Sequence, residues 1–555
     1  MESVEHPISE SLFAAACGWV IKALSQNDQV EAITEPELLN DTQPRVAILT
    51  VADTNAGQYL TRTSHKSGLL QALNDVIAKI ELDAESFEQV TNIKLDIVTH
   101  IFPLNADRVQ NRHPLISDRS LVGFMLGDYE SAWLPEESVR FGLFSRKGKL
   151  NRGRILDALG ADRITNVNSN NAWCFATRSR SLLDGADLFR GKALRDVPAE
   201  HEIEHIIAQA KHYLCRATKD TGKFVYAYDA ASSQEQDDYN ILRHAGSLWS
   251  MCEIYQQKQD NELANAIHRV AQYLENSIEI QDKQARVLEK GYVKLGGNGL
   301  ALVALSSYYQ IFNASADLLE KLQGLAQWIV ATQSEEGQFT VHKQRVRDDF
   351  VMPFVSDFYP GEAILGLVAL YRLDHNQLLL DAANNAANWL INIRDKDKPI
   401  DDLQRDHWLL YAITALYNES PQAMLAEQSQ RLATKIMRCQ NSQQPTFDWN
   451  GGWKTPPMST TTACMCEGLS AAYKLAVQIS ADTAYLHQLK QSIERGLQNQ
   501  RGYQFDKINS AYLQNPAFAE GGFICDYDRW LLRIDYTQHS VMSFLNYKRW
   551  VLPKN

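Results

Sequence analysis

The chain has 555 residues, 45% of them hydrophobic and 22% charged, with a net charge of −12. This is the balance of a globular protein with two or three domains. It argues against nucleic acid as the main partner, because phosphate binding needs a basic surface. No run of about 18 apolar residues offers a membrane span.

MESVEHPISESLFAAACGWV at the N-terminus carries acids where a signal peptide needs Lys or Arg, so a cytoplasmic protein is expected. The eight cysteines are scattered, as in a reduced chain without a disulfide framework. Cys464 and Cys466 are the one close pair, but their spacing is not that of a zinc knuckle. Helix packing explains them, and neither a metal nor a cofactor is expected.

The first 195 or so residues mix strand and helix signals. RVAILTVAD (45–53) and IKLDIVTHIFPL (93–104) are β-branched and alternating. SGLLQALNDVIAKIEL (67–82) has helical spacing. SLVGFMLGDYESAWLPEESV (120–139) reads as a strand pair with a Gly-Asp turn, then a helix opened by Pro. This α+β order resembles the AMME-syndrome candidate protein family. That family's Gly-Cys-Ile-Gly motif is absent, and no site residue is carried over. LFRGKALRDVPAEHE (188–202) has the mixed charge and Pro of a linker, so a boundary is expected between domains 1–195 and 198–550.

From residue 198 onward the pattern is almost all helix. Helical runs begin near 201, 240, 262, 298, 316, 360, 378, 405, 422, 459, 483 and 533. Two kinds alternate. Ordinary amphipathic helices such as LLLDAANNAANWLINI (378–393) alternate with helices opened by polar or Gly-rich motifs. The latter are YNILRHAGSLW, KLGGNGLALVAL, DFYPGEAILGLVAL, DHWLLYAITAL, TTTACMCEGLSAAY and RIDYTQHSVMSFL. Six helical hairpins close into a ring of inner and outer helices. The fold class expected is therefore multidomain, an N-terminal α+β domain followed by an all-α (α/α)6 toroid. The region resembles the (α/α)6-toroid superfamily of six-hairpin glycosidases, N-acylglucosamine epimerase-like sugar isomerases, uronate lyases and epimerases, and terpene and lanthionine cyclases. QSEEGQF (333–339) matches a Gln-x-x-x-Gly-x-aromatic pattern that ties outer helices in several toroid families, and is read as structural.

Parallel inner helices bring their N-termini to one end, where polar groups would line a cavity. The candidate catalytic residues are Glu362, Asp535, His539, Asp406, His407, Glu467, Asp357 and His244. Candidate substrate-binding residues are Arg243, Tyr239, Tyr359, Trp408, Arg529, Arg533 and Trp453. Structural alternatives stand beside several. Asp406 and Asp357 could be helix caps, and Glu362 could favour a helix dipole. Arg243 could pair with Asp237 or Asp238. Asp535 and His539, four apart, share a helix face and could form a structural pair. Arg533 is expected to meet an acid from 526–530. Long aromatic loops at 218–238, 334–358, 440–458 and 500–532 suit a sugar ring or a peptide.

Two carboxylates would serve glycoside hydrolysis, with Glu362 and Asp535 first. Histidines 244, 407 and 539 would serve sugar or uronate epimerisation. The arginines suit an anionic group on a small or oligomeric substrate. The alternatives are a non-catalytic toroid that binds a peptide or polymer, and a peptide-modifying or terpenoid cyclase.

Overall fold

The computed structural model describes residues 4–25, 36–80, 89–103, 122–126, 128–145, 150–159, 172–444 and 446–552. The N-terminal region is built on an antiparallel sheet. Its strands are β1 (Arg45–Asp53), β2 (Gln58–Lys66), β3 (Asn92–Pro103), β4 (Gly123–Leu126), β5 (Asp128–Trp133) and β6 (Ala172–Ser181). They lie in the order β2-β1-β3-β6-β4-β5. Helices α1 (Glu10–Ser25) and α2 (Leu69–Ala78) accompany it, and a short helix at Pro135–Arg140 follows the β4–β5 pair.

Strand β1 shows how the sheet is placed. Successive side chains point to opposite faces, and both faces are buried. Ala47, Leu49 and Val51 share a core with Phe13, Trp19, Leu69 and Leu73 of α1 and α2. Val46, Ile48 and Ala52 instead join the core of the helical region. The sheet is thus covered by its own helices on one face and by the C-terminal region on the other.

That seam also holds charge. The Lys94 ammonium is bonded to Glu136, lies 3.1 Å from Asp96, and lies 3.5 Å from the Tyr512 hydroxyl of the helical region. The stretch expected as a linker is woven into the seam. Asp187–Phe189 pairs with β6, and Lys192 donates to the Gly502 carbonyl at 2.7 Å while lying over the Tyr527 ring.

Among the described residues, twelve long helices make the ring of the C-terminal region, besides a four-residue helix at Pro516–Ala519. They are α3 (Glu200–Ala217), α4 (Ile241–Gln257), α5 (Asn261–Glu275), α6 (Leu295–Phe312), α7 (Ala316–Ala331) and α8 (Tyr359–Asp374), then α9 (Gln377–Trp389), α10 (His407–Glu419), α11 (Ala423–Arg438), α12 (Ser459–Gln478), α13 (Thr483–Arg501) and α14 (Ile534–Asn546). Helices α4, α6, α8, α10, α12 and α14 each pack on the next, and α14 packs on α4, so the six close a ring. The others lie outside: α5 on α4, α7 on α6, α9 on α8, α11 on α10, α13 on α12 and α3 on α14. All six motif-bearing helices are inner. They are apolar or small nearly all round because each is enclosed on every side.

Glycines let the inner helices approach. A Cβ on Gly299 would lie 2.6 Å from the Glu362 backbone, and one on Gly361 would lie 2.6 Å from the Leu409 nitrogen. These contacts join first turns to first turns, so the N-termini share one end of the ring.

The outer helices are tied by a repeated device. Gln333 donates to the carbonyls of Gly337 and of Ala382 on α9. Gln440 does the same to Gly451 and Ser492 on α13, and Gln504 to Gly521 and Ile206 on α3. Each glycine has a positive φ, and the carbonyl of the next outer helix fills the place of its missing Cβ. Each is followed two residues later by a buried aromatic: Phe339, Trp453 and Phe523. The sequence pattern was visible once, at QSEEGQF, because longer insertions separate Gln from Gly in the other two.

The loop aromatics mostly serve this packing. Phe224, Tyr226, Trp453, Tyr503, Tyr512 and Phe523 are all buried. Exposed apolar side chains cluster instead at Phe350, Val351, Phe354, Val355 and Phe358, just before α8.

Candidate active site

Glu362 lies in the first turn of α8, which Pro360 opens, and it is 3% exposed. Its carboxyl occupies the space that a side chain at Gly296 would fill, beside the Tyr359 ring. Oxygen Oε2 is buried without a hydrogen-bond partner. Burial, and then the neighbouring Asp406, push the acid up to about 8, with His539 acting in the opposite sense. Asp406 is the N-cap of α10 and accepts from the Leu409 nitrogen at 3.0 Å. Burial pushes it up to about 7.

The next three inner helices bring together a second group. His539 Nδ1 and Glu467 Oε1 are 2.7 Å apart. The Tyr411 hydroxyl donates to Glu467 Oε2 at 2.8 Å, and Asn546 in turn bonds Tyr411. His407, the first residue of α10, has its ring 5.3 Å from that of His539. The Cys464 sulfur and one nitrogen from each histidine lie within 4.8 Å of one another. Burial lowers His407 well below the usual imidazole range and raises Glu467. Although burial opposes it, Cys464 and Glu467 raise His539 well above that range. Trp408 is buried beside this group, 5.8 Å from the His539 ring.

At the start of α14 the expected pairing changes. Asp535 does not meet His539. Arg533 grips it through two bonds of 2.5 and 2.8 Å, and Arg243 adds a contact of 3.1 Å. Arg243 also donates to the Tyr226 hydroxyl at 2.5 Å. The acid expected from the 526–530 loop goes to Arg529, whose Nη2 lies 2.7 Å from Asp526. Of the two acids expected for Arg243, Asp238 faces Lys290 at 3.5 Å.

Several expected site residues lie elsewhere. His244 is fully buried, with Nδ1 2.7 Å from the Tyr239 hydroxyl and Nε2 2.9 Å from the Val270 carbonyl of the outer helix α5. Burial pushes it down to about 4, so it is a neutral packing residue with Tyr239 as its partner. Trp453 is enclosed against Gly496 and donates to the Ile436 carbonyl at 2.8 Å, which takes it out of the mouth. Asp357 is exposed at the approach to α8, within the field of His342. Tyr359 is half-buried, 5.8 Å from Phe354.

Tyr411 was missed as a site residue, and Cys464 was read as packing. The available signal was spacing: Tyr411 follows His407 by four and Glu467 follows Cys464 by three, so each pair shares a helix face.

No family model and no curated protein matches the sequence. Solved structures do. A sugar epimerase from a ruminal bacterium is 15% identical over 64% of this chain and 99% of its own, with a TM-score of 0.50. Cellobiose 2-epimerase from Bacillus thermoamylovorans is 13% identical over 63% and 98%, at 0.49. A GH76 α-mannanase from Bacteroides thetaiotaomicron is 12% identical over 62% and 96%, at 0.45. The first likeness supports the (α/α)6-toroid fold for the helical region. The AMME-like resemblance of the N-terminal region is not shown by any comparison. Among the described residues, no helix is long and apolar enough to cross a membrane.

Proposed function

We propose that this chain is a carbohydrate-active enzyme that moves a proton at a sugar carbon, as an epimerase or isomerase. One observation carries the reading: among the described buried acids near the inner-helix N-termini, Glu362 alone has a fully buried carboxyl oxygen without a hydrogen-bond partner. Asp535 is neutralised by two arginines, Glu467 is engaged by His539 and Tyr411, and Asp406 caps a helix. Glycoside hydrolysis needs two carboxyls facing each other across a bond. Proton transfer needs one acid–base group whose pKa lies near the working pH, together with an electrophile for the oxygen that gains charge.

Glu362, at about 8, serves as the proton carrier. It takes the proton from the carbon next to the substrate carbonyl, and the electron pair moves onto the oxygen. Return of the proton from Glu362 to the neighbouring carbon gives an isomer, whereas an epimer needs a proton delivered to the opposite face of the first carbon by a second donor, a water or a histidine of the mouth. The His407–Cys464–His539 group supplies the electrophilic end. The exposed rings of Phe354 and Phe358, with Tyr359, offer a stacking face at the entrance. Arg243 and Arg533 share a single Asp535, so the second positive charge is left for an anionic group such as a uronate carboxylate. The sugar epimerase of like fold is in keeping with this reading.

The test is incubation of the purified chain with reducing disaccharides and uronates in D2O, followed by NMR and mass spectrometry. Deuterium at the carbon beside the carbonyl, with an epimer or isomer formed, is the expected result. Cleavage of a glycosidic bond without exchange would replace this reading with hydrolysis. Binding without turnover across the panel would leave a carbohydrate-binding toroid.

A further inference from the structure

Three consecutive inner helices, α10, α12 and α14, place His407, Cys464 and His539 around one point. All three side chains are buried, and their donor atoms lie within 4.8 Å of one another. Such a cluster could be ordinary core packing with a thiol–imidazole hydrogen bond. Two further observations argue against that.

His407 is enclosed, and neither of its ring nitrogens has a hydrogen-bond partner. A neutral imidazole carries one N–H and one lone pair, so both are stranded, and leaving a buried polar group unpaired costs about 1–3 kcal/mol. An imidazole facing a thiol and a second imidazole with its lone pair unused is arranged as a ligand. The second observation is the support behind His539. Its Nδ1 faces Glu467 at 2.7 Å, and Glu467 is held in turn by Tyr411. A carboxylate on one ring nitrogen fixes the tautomer and leaves the other nitrogen's lone pair free, the arrangement that supports metal-bound histidine.

We propose that His407, Cys464 and His539 bind a zinc-class divalent cation, with one coordination position left open towards the mouth of the ring. Two imidazoles and one thiolate suit a borderline-soft cation, and three protein ligands leave a fourth position for water or substrate. The charges balance: a thiolate and the Glu467 carboxylate against a divalent ion. That gives a buried Glu467 a reason to remain ionised. Bonds of about 2.0–2.3 Å at tetrahedral angles put donors roughly 3.3–3.7 Å apart, so donors within 4.8 Å of one another draw together by up to about 1 Å through side-chain rotation. Cys466 takes no part, because its sulfur lies against the Ile493 carbonyl of outer helix α13. No local cysteine spacing announces the set, since each ligand comes from a different helix.

The catalytic meaning of the ion rests on the proton-transfer reading above: it polarises the substrate oxygen while Glu362 moves the proton. Binding does not rest on that reading and is measured directly. The purified full-length chain is analysed for metals, then stripped with chelator and titrated with Co2+ while visible and near-ultraviolet spectra are recorded. One equivalent is expected, with d–d bands of a low-coordinate site and a sulfur-to-cobalt charge-transfer band. Cys464→Ser removes the charge-transfer band, and Cys466→Ser keeps it. Glu467→Gln weakens binding by about 10–100-fold. Circular dichroism checks that each variant is folded. A folded wild-type chain that takes up no stoichiometric Zn2+ or Co2+ overturns the proposal, as does a charge-transfer band that survives in Cys464→Ser. Deuterium exchange undiminished in the stripped chain overturns the ion's catalytic role and leaves the proton-transfer reading standing. Stoichiometric binding with no exchange on any sugar supports the metal site and removes that reading instead.

Discussion

Glu467 and His539, 72 positions apart, meet through a 2.7 Å contact with both side chains buried. The last inner helix therefore directs its histidine to the helix beside it, while Asp535, one turn earlier, turns to Arg533 and Arg243. Two buried charges are tolerable only when paired and hydrogen-bonded, and removing one partner typically costs about 3–5 kcal/mol. Glu467 meets that condition through His539 and Tyr411, and Asp535 meets it through two guanidiniums. The polar face of α14 thus serves two neighbours at two depths.

Glu362→Gln keeps shape and removes the proton carrier. Activity is expected to fall by about 10²–10⁴-fold, with the melting temperature nearly unchanged. Kinetics and a thermal melt on the same preparation check both halves. Retained turnover would assign Glu362 to structure.

Gly296→Ala tests whether the cradle for that acid matters. The added methyl overlaps Glu362 Oε2 and crowds the Tyr359 ring. The expected outcome is a folded chain whose kcat falls by at least tenfold. Gly297→Ala is the control, because its nearest neighbour outside its own helix backbone is the Lys294 side chain at 3.8 Å. Equal activity in the two variants would count against the assigned position of Glu362.

The seam beneath the sheet predicts a pH dependence of stability. Burial raises Glu137 from its usual 4.5 to about 7. Between those values the folded state holds a proton that the unfolded chain has lost, so stability falls as pH rises, by about 3 kcal/mol in all. Burial lowers Lys192 from 10.5 to about 7. Across that window the unfolded chain holds the extra proton, so stability rises with pH. Urea denaturation from pH 4 to 10 should show a minimum near neutrality. Glu137→Gln should shrink the acid limb, to which Glu362 and Asp406 also contribute, and Lys192→Met should shrink the alkaline limb. A wild-type profile flat throughout would contradict both assignments.

The glutamine ties should be stability elements. Gln440→Ala strands the Gly451 and Ser492 carbonyls, with an expected loss of about 1–3 kcal/mol. Trp453→Ala should lose about 3–5 kcal/mol. Activity per folded molecule should survive in both. A Trp453→Ala variant that is stable but selectively raised in KM would return that residue to the substrate site.

Residues 1–195 expressed alone would expose Val46, Ile48 and Ala52, which pack into the shared core. The expected result is an aggregating or partly folded fragment, rescued by co-expression of the remainder. A monomeric, cooperatively folding fragment would show that this face tolerates water. Light scattering and a chemical melt distinguish the two.

Local pattern was enough for the helices and their alternation. The twelve expected starts fall close to those observed, from 200 to 534, because an enclosed helix and a one-sided one differ in composition along their own length. The N-terminal signals at 45–53, 93–104 and 67–82 likewise appear as β1, β3 and α2, within a residue or so for the strands. The end at which polar groups gather also followed from sequence, since hairpins alternating inside and outside make the inner helices parallel. Tertiary structure alone decided who meets whom. Asp535 and His539 share a stripe of α14, yet helix spacing says nothing about which neighbour lies across each seam, and burial made each seek its own counter-charge. His244 carries the same motif position as other candidates but faces the outer ring, where it meets the Val270 carbonyl, a matter of helix rotation. The composition at 188–202 reads as a linker and the loop aromatics as a face for a sugar or peptide, because a sequence shows polarity and not what covers it. The shared core beneath β1 and the Gln–Gly–aromatic ties arise only when distant segments close on one another, and so does the meeting of His407, Cys464 and His539 from three separate helices.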